Sequence, residues 1–203
     1  MIQVGDLVFV DRRTSDNFIG RIIRVVENNG IYPLDEFMPN HIGIVIEEAE
    51  NIRDIKVIGA FPPGPKIQPL SYWLDNPNVN ICIRTFRDFI PLYQRYTMRR
   101  WMYKYYKDKI PYDILSLVGI LLKYLILQKV NNKFINFLIR YIWNDNIQNR
   151  VYLNCAELTY KIYKSIGLMP ISFFPDYALP SDYYFSKRWR TIYHNYNYDY
   201  PRY

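Results

Sequence analysis

Short β-branched runs separated by turn-forming clusters fill the first ninety or so residues, and helical spacing takes over after that. Val4-Gly5-Asp6-Leu7-Val8-Phe9-Val10 reads as a turn leading into a buried strand, with Asp11–Asp16 as a polar loop. Ile19–Val26 fits a strand or a short helix, and its periodicity does not separate the two. Asn28-Asn29-Gly30 is a turn, and the segment through Pro33 and Pro39 reads as irregular. His41-Ile42-Gly43-Ile44-Val45-Ile46 predicts a strand, bounded by Pro39-Asn40 and by the acidic stretch Glu47–Glu50. Lys56–Phe61 is the next strand, and Pro62-Pro63-Gly64-Pro65 forces a turn. A short extended piece follows at Lys66–Leu70, then a small helix at Ser71–Leu74. Asn78–Phe86 alternates Val79, Ile81 and Ile83 against Asn80, Cys82 and Arg84, which predicts a strand with Cys82 on its more polar face.

Pro91–Tyr106 predicts a helix with proline in its first turn and an aromatic-basic face made by Arg95, Arg99, Trp101 and Lys104. Ile110-Pro111-Tyr112-Asp113 breaks that pattern. Two apolar helical stretches, Ile114–Gln128 and Phe134–Trp143, flank Asn131-Asn132-Lys133. Leu158, Ile162 and Ile166 then repeat at four-residue spacing, and Gly167 stands where a left-handed cap is expected. A short helix near Ser181–Phe185 and a strand at Trp189–Tyr193 complete the predicted elements. The polar, tyrosine-rich tail 195–203 is expected to be flexible.

The 203 residues fit one domain, 1–194, with a helical insertion at about 114–145. Half the residues are hydrophobic, which excludes a disordered chain. An AT-rich coding bias accounts for the 21 tyrosines and the frequent Asn, Ile and Lys. The two cysteines, Cys82 and Cys155, form no disulfide framework, and no secretory leader precedes the first strand, so a cytoplasmic, intracellular setting is expected. The most apolar segment, Ile114–Leu127, contains Lys123 and falls short of the roughly 20 residues that a spanning helix needs. Peripheral membrane contact through 114–143 is compatible with it.

The net charge of +7 allows anionic partners, and Arg84, Arg87, Arg95, Arg99, Arg100, Lys104, Lys107 and Lys109 concentrate it in one segment. A solvated helix face is the preferred reading of such a segment, ahead of a binding surface. No recognition helix or zinc-finger pattern accompanies it, so nucleic acid is not the expected partner.

The chemistry points to Val151-Tyr152-Leu153-Asn154-Cys155-Ala156-Glu157-Leu158. Asn154 and Glu157 have capping-box spacing, which puts Cys155 first in the helix, beside unpaired N–H groups and the positive end of the dipole. Both favour a thiolate, and a nucleophile is placed this way; a small buried core residue is the other reading. His41 opens a buried strand, with Gly43 on its face leaving room for a close approach, and it suits chemistry or a simple strand-end hydrogen bond. His194 reads as structural or surface. No metal or cofactor cluster is apparent.

Together, Gly5-Asp6-Leu7, His41-Ile42-Gly43-Ile44, Ile110-Pro111-Tyr112-Asp113 and Asn154-Cys155-Ala156-Glu157-Leu158 resemble the circularly permuted members of the NlpC-type, papain-like superfamily. That group includes YiiX-like hydrolases, lecithin–retinol acyltransferase relatives and a poxviral set. Pro69-Leu70 with Trp73, and Leu179-Pro180-Ser181-Asp182, are also similar to it. The resemblance implies an α+β fold in which a small, mainly antiparallel sheet packs on the cysteine-bearing helix. It implies a cysteine hydrolase or acyltransferase acting on a peptide, lipid or acyl-amide carbonyl through an acyl-enzyme. Cys155 would be the nucleophile, His41 the general base and acid, and Tyr112 part of the oxyanion hole.

This chain departs from the group in two places. Gly59 stands where a polar residue on the following strand usually orients the histidine. Glu47 shares the His41 face but lies roughly 20 Å along the strand, which leaves Asp35, Gln68, a water or a backbone carbonyl as stand-ins. The 114–143 helices exceed the expected length and suit either a lid over an acyl cleft or added core. A catalytically inactive binding module, and a basic-surface protein for anionic lipid or nucleic acid, are the alternative functions.

Overall fold

The computed structural model describes residues 1–12, 37–113, 153–171 and 178–196. Ile19–Val26, Asp35, the 114–143 helices and residues 197–203 of the tail lie outside these. Six strands form one antiparallel sheet: β1 (Leu7–Arg12), β2 (His41–Glu47), β3 (Lys56–Phe61), β4 (Gly64–Pro69), β5 (Val79–Phe86) and β6 (Trp189–His194). Their order is β4-β3-β2-β1-β5-β6, so each strand neighbours the one before or after it in the described chain, except where β1 joins β5. Among the described residues four α-helices accompany the sheet, α1 (Ser71–Leu74), α2 (Leu92–Lys107), α3 (Cys155–Lys164) and α4 (Pro180–Phe185), with a short 3-10 turn at Ile52–Asp54.

Strand periodicity separates two cores. Leu7 and Phe9 of β1, Ile42, Ile44 and Ile46 of β2, and Ile58 and Ala60 of β3 face one side. There they pack with Met98 and Met102 of α2, Leu158 and Ile162 of α3, and Tyr183 of α4. Val8, Val10, Val45, Val57, Ile81 and Ile83 face the other side, where Leu70 and Trp73 cover them. Both faces are therefore buried, and this explains the nearly continuous apolar run of β2.

Cys82 overturns the expectation of a polar face. It is buried in the helix-side core, 3.9 Å from the Thr191 hydroxyl. Its strand reads as alternating because one side of the strand carries Arg84, whose guanidinium donates to the Trp189 carbonyl at 2.9 Å. The basic segment is only partly a solvated face. Arg87 also reaches the Trp189 carbonyl, Arg95 reaches those of Ile90 and Val4, and Arg99 lies 3.3 Å from the Glu47 carboxylate. Asn195 and Tyr196, expected in the flexible tail, are held against the body. Asn195 accepts the Ile81 N–H at 2.7 Å, and Tyr196 is buried, stacked on Phe37 with ring centroids 4.6 Å apart.

Trp189, fully buried at the head of β6, ties the late elements to the sheet. Its ring meets Tyr163 of α3 and Phe86 of β5 edge-on at 5.1 Å, and its indole N–H donates to the Pro170 carbonyl at 3.1 Å. Tyr163 in turn donates to the Gly5 carbonyl, where the chain turns with φ +96°.

Candidate active site

The start of α3 forms as its spacing predicts. Asn154 Oδ1 accepts the Glu157 N–H at 2.9 Å, and Glu157 Oε2 accepts the Asn154 N–H at 3.0 Å, so two of the otherwise unpaired helix-start donors are satisfied reciprocally. Cys155 is the first helical residue. One turn on, the Thr159 hydroxyl returns a bond to its carbonyl at 2.9 Å.

A short two-strand bridge brings Tyr112 to this helix start. Tyr112 pairs in parallel with Leu153: the Leu153 N–H donates to Pro111 at 3.1 Å and the Asp113 N–H to Leu153 at 3.3 Å. The Tyr112 N–H donates at 2.9 Å to Pro63 in the β3–β4 turn. That turn approaches so closely that a β-carbon on Gly64 would stand 2.8 Å from the Ile110 carbonyl oxygen, which accounts for glycine there. Tyr112 is buried. Its phenol is pushed well above its ordinary pKa, by desolvation first and by the charge Cys155 would carry second.

Backbone N–H groups of Ile42, Ala156 and Cys155 itself act to lower the Cys155 pKa. The sequence reading expects these donors to favour a thiolate. Burial outweighs them: Cys155 is 3% exposed, and desolvation, with a smaller push from Glu157, raises its thiol to about 11. The resting group at neutral pH is a thiol.

His41 is the surprise. It shares strand parity with Val45 and lies on the α1 side of the sheet, whereas Ile42 faces α3. Extending the Gly43–Gly59 register by two residues puts His41 opposite Phe61, and the rings stack with centroids 4.2 Å apart. The imidazole Nε2 is buried without a hydrogen-bond partner among the described residues, and burial, helped by the Arg12 charge, lowers the ring pKa to about 3. No hydrogen bond joins His41 to Cys155. The structure thus brings Tyr112 to the Cys155 helix start and turns Ile42 of β2 towards that side, while the His41 ring turns to the other face.

Gly59 lies directly against the His41 ring. A β-carbon there would stand 2.6 Å from His41 Nε2, so residue 59 is where an orienting side chain would touch the ring. Glu47 is engaged elsewhere, by Lys56 at 2.7 Å, by Arg99 and by the Tyr103 hydroxyl, which hold its carboxyl down at about 2. Gln68 pairs across from Val57 and makes no bond to the imidazole. His194 sits at the end of β6 with Nδ1 3.0 Å from the Tyr196 carbonyl.

Sequence reasoning missed Tyr183. Fully buried on α4, it donates to the Ala156 carbonyl at 2.8 Å, and its phenol is raised by burial first and by the Cys155 charge next. Leu179-Pro180-Ser181-Asp182 marks the neighbourhood, but nothing in the sequence distinguishes this tyrosine from the other twenty.

No family model matches the chain, and no curated protein matches it. Among solved structures, the crystal structure of the metalloprotein YiiX from Escherichia coli O157:H7 is similar over 97% of this chain and 99% of that one, with TM-score 0.58 and 14% identity. The chain therefore has a YiiX-like α+β fold. Among the described residues no group of three or more His, Cys, Asp or Glu side chains could hold a metal ion. No helix among them is long and apolar enough to cross a membrane.

Proposed function

We propose that the chain is a cysteine hydrolase or acyltransferase of the circularly permuted, NlpC-type papain-like kind, acting on an amide, ester or thioester. One observation carries the reading. Cys155 stands first in a helix closed by the reciprocal Asn154–Glu157 cap, with Tyr112 bridged alongside it through Leu153. In this reading the thiol proton passes to the His41 imidazole as the sulfur attacks the carbonyl carbon. The oxyanion is met by the backbone N–H of the helix start and by the Tyr112 hydroxyl. Collapse expels the amine, alcohol or thiol, which takes the proton from imidazolium, and water or a second acceptor then releases the acyl group. At pH 7 both partners begin neutral, so the proton moves only as the substrate arrives. The ring must also leave Phe61 and swing round the first residue of β2.

The seat of His41 favours a second reading, a binding module that keeps the cleft without turnover. A substrate-like electrophile, an alkyl β-lactone, separates the two. The enzyme reading expects acylation of Cys155 at pH 7, faster than alkylation of the same thiol by iodoacetamide, and slowed at least tenfold by His41→Ala. Acylation no faster than that of a small free thiol, or unaffected by His41→Ala, would leave the binding module.

A further inference from the structure

Among the described residues, the outer face of α2 is a surface that the candidate site does not use. The helix, about 24 Å long, contains five cations (Arg95, Arg99, Arg100, Lys104 and Lys107) and no acidic residue. Its inner face is fixed to the body by buried Met98 and Met102, by Arg95 on the Val4 and Ile90 carbonyls, and by Arg99 on Glu47. Those contacts use two of the five cations and leave Arg100, Lys104 and Lys107 exposed.

The apolar residues are exposed too. Phe89 is 86% exposed, Leu92 65%, Tyr93 68% and Tyr96 60%. Positions 92, 93, 96 and 100 follow helical spacing, so Leu92, Tyr93, Tyr96 and Arg100 share one stripe, and Phe89 lies exposed in the segment just before the helix. Trp101 stands on the flank with the Lys104 ammonium 4.8 Å from its ring centroid, an aromatic-cation pair suited to a headgroup layer. A leucine and a phenylalanine held this far into water, ahead of a run of cations, match the composition of helices that lie in a membrane interface.

The direction of the helix matters. The Gln94 side chain donates to the Ile166 carbonyl at 3.2 Å, just beyond the C-terminal end of α3, whereas the chain beyond Lys107 leads to Tyr112 beside the start of α3. The two helices therefore run antiparallel. The apolar half of the stripe lies towards the far end of α3, and Arg100, Lys104 and Lys107 lie towards Cys155.

We infer that the outer face of α2 is a docking surface for an anionic phospholipid bilayer, with Phe89, Leu92, Tyr93 and Tyr96 entering the headgroup boundary and Arg100, Lys104 and Lys107 meeting lipid phosphates and carboxylates. The exposed Leu92 and Phe89 favour lipid over nucleic acid, because an aliphatic side chain gains little from a phosphate backbone. The surface is independent of the cysteine chemistry, and its test does not read activity.

Co-sedimentation of the whole chain with vesicles of phosphatidylcholine, with and without 30% phosphatidylserine (a proportion of about one anionic lipid in three), tests this. Binding is expected to the anionic vesicles, weakening steeply as salt rises. Charge removal in the triple variant Arg100→Gln, Lys104→Gln, Lys107→Gln is expected to cut it about a hundredfold. The pair Phe89→Ser, Leu92→Ser is expected to cut it about tenfold with the fold intact, since both side chains are exposed. Cys155→Ala is expected to bind as the parent does. The inference is overturned if the parent does not sediment with anionic vesicles at low salt, if the surface variants bind as well as the parent, or if only single-stranded RNA binds.

Discussion

His41 Nε2 lies 2.6 Å from the point that a β-carbon on Gly59 would occupy, and the same point is 2.9 Å from the Phe61 ring. The imidazole, the glycine and the phenylalanine form one fitted stack on the α1 side of the sheet. Gly59→Ala is therefore expected to destabilise the chain by about 1–3 kcal/mol through overpacking. In a His41→Ala background the added methyl meets no ring nitrogen, and the cost is expected to shrink markedly. Urea unfolding of the four proteins reads the difference; equal costs in both backgrounds would mean that the contact carries no energy.

The same burial makes stability depend on pH. The folded imidazole has its pKa lowered to about 3, against 6.5 for an unperturbed histidine. Above pH 6.5 both states are neutral at this residue and it contributes no pH slope. As the pH falls from 6.5 towards 3, the unfolded chain gains a proton that the folded one refuses, so stability is lost by at most about 1.4 kcal/mol per unit. His41→Asn is expected to flatten the curve in that window, which urea midpoints at pH 7, 6 and 5 check.

Removing the cap at the cysteine helix has a separate signature. Asn154 is buried and holds the Glu157 N–H, and Asn154→Ala is expected to cost about 1 kcal/mol and to fray the first turn. Fraying opens Cys155 to water, so iodoacetamide should alkylate the variant faster than the parent at pH 7.

Both thiols of the parent are buried, and Cys155 is raised to about 11. An aromatic disulfide reagent at pH 7 is expected to find almost no native thiol and two per chain after denaturation. Alkylation of native Cys155 should rise about tenfold per pH unit towards pH 11, since the thiolate is the reactive form. Fast reaction at pH 7 with this small reagent would contradict the buried, neutral thiol.

Tyr183→Phe removes the hydroxyl that meets the Ala156 carbonyl at 2.8 Å. A loss of about 1 kcal/mol is expected in urea unfolding, with the far-ultraviolet circular dichroism unchanged.

Much of this architecture was legible in the residues, because most elements carry local signals. The β-branched runs at His41 and Lys56, the proline cluster between β3 and β4, and the Asn154–Glu157 spacing all state their structure within a few positions. What escaped depends on what packs against an element. Cys82 looked half-polar because a strand cannot announce that helices will bury its second face. The Cys155 thiolate failed for the same reason, since helix-start donors are visible in sequence but desolvation is not. His41 was placed on the correct strand. Its facing follows from parity with Val45, and nothing local tells which side of the sheet receives α3.

The order of the strands bears on how the chain leaves the ribosome. β1 to β5 are complete once Phe86 has emerged, and Met98 and Met102 of α2 reach the isoleucine-rich face of β2 soon after, yet α3, α4 and Trp189, which complete its cover among the described residues, come much later. At roughly 5–20 residues per second, the roughly 70 residues between Phe86 and Cys155 keep that face waiting for about 3–14 s. During synthesis the half-made sheet is thus an incompletely capped apolar surface, and the nascent chain is a natural client for a holding chaperone. Chains terminated before Trp189 are expected to be recovered in aggregates.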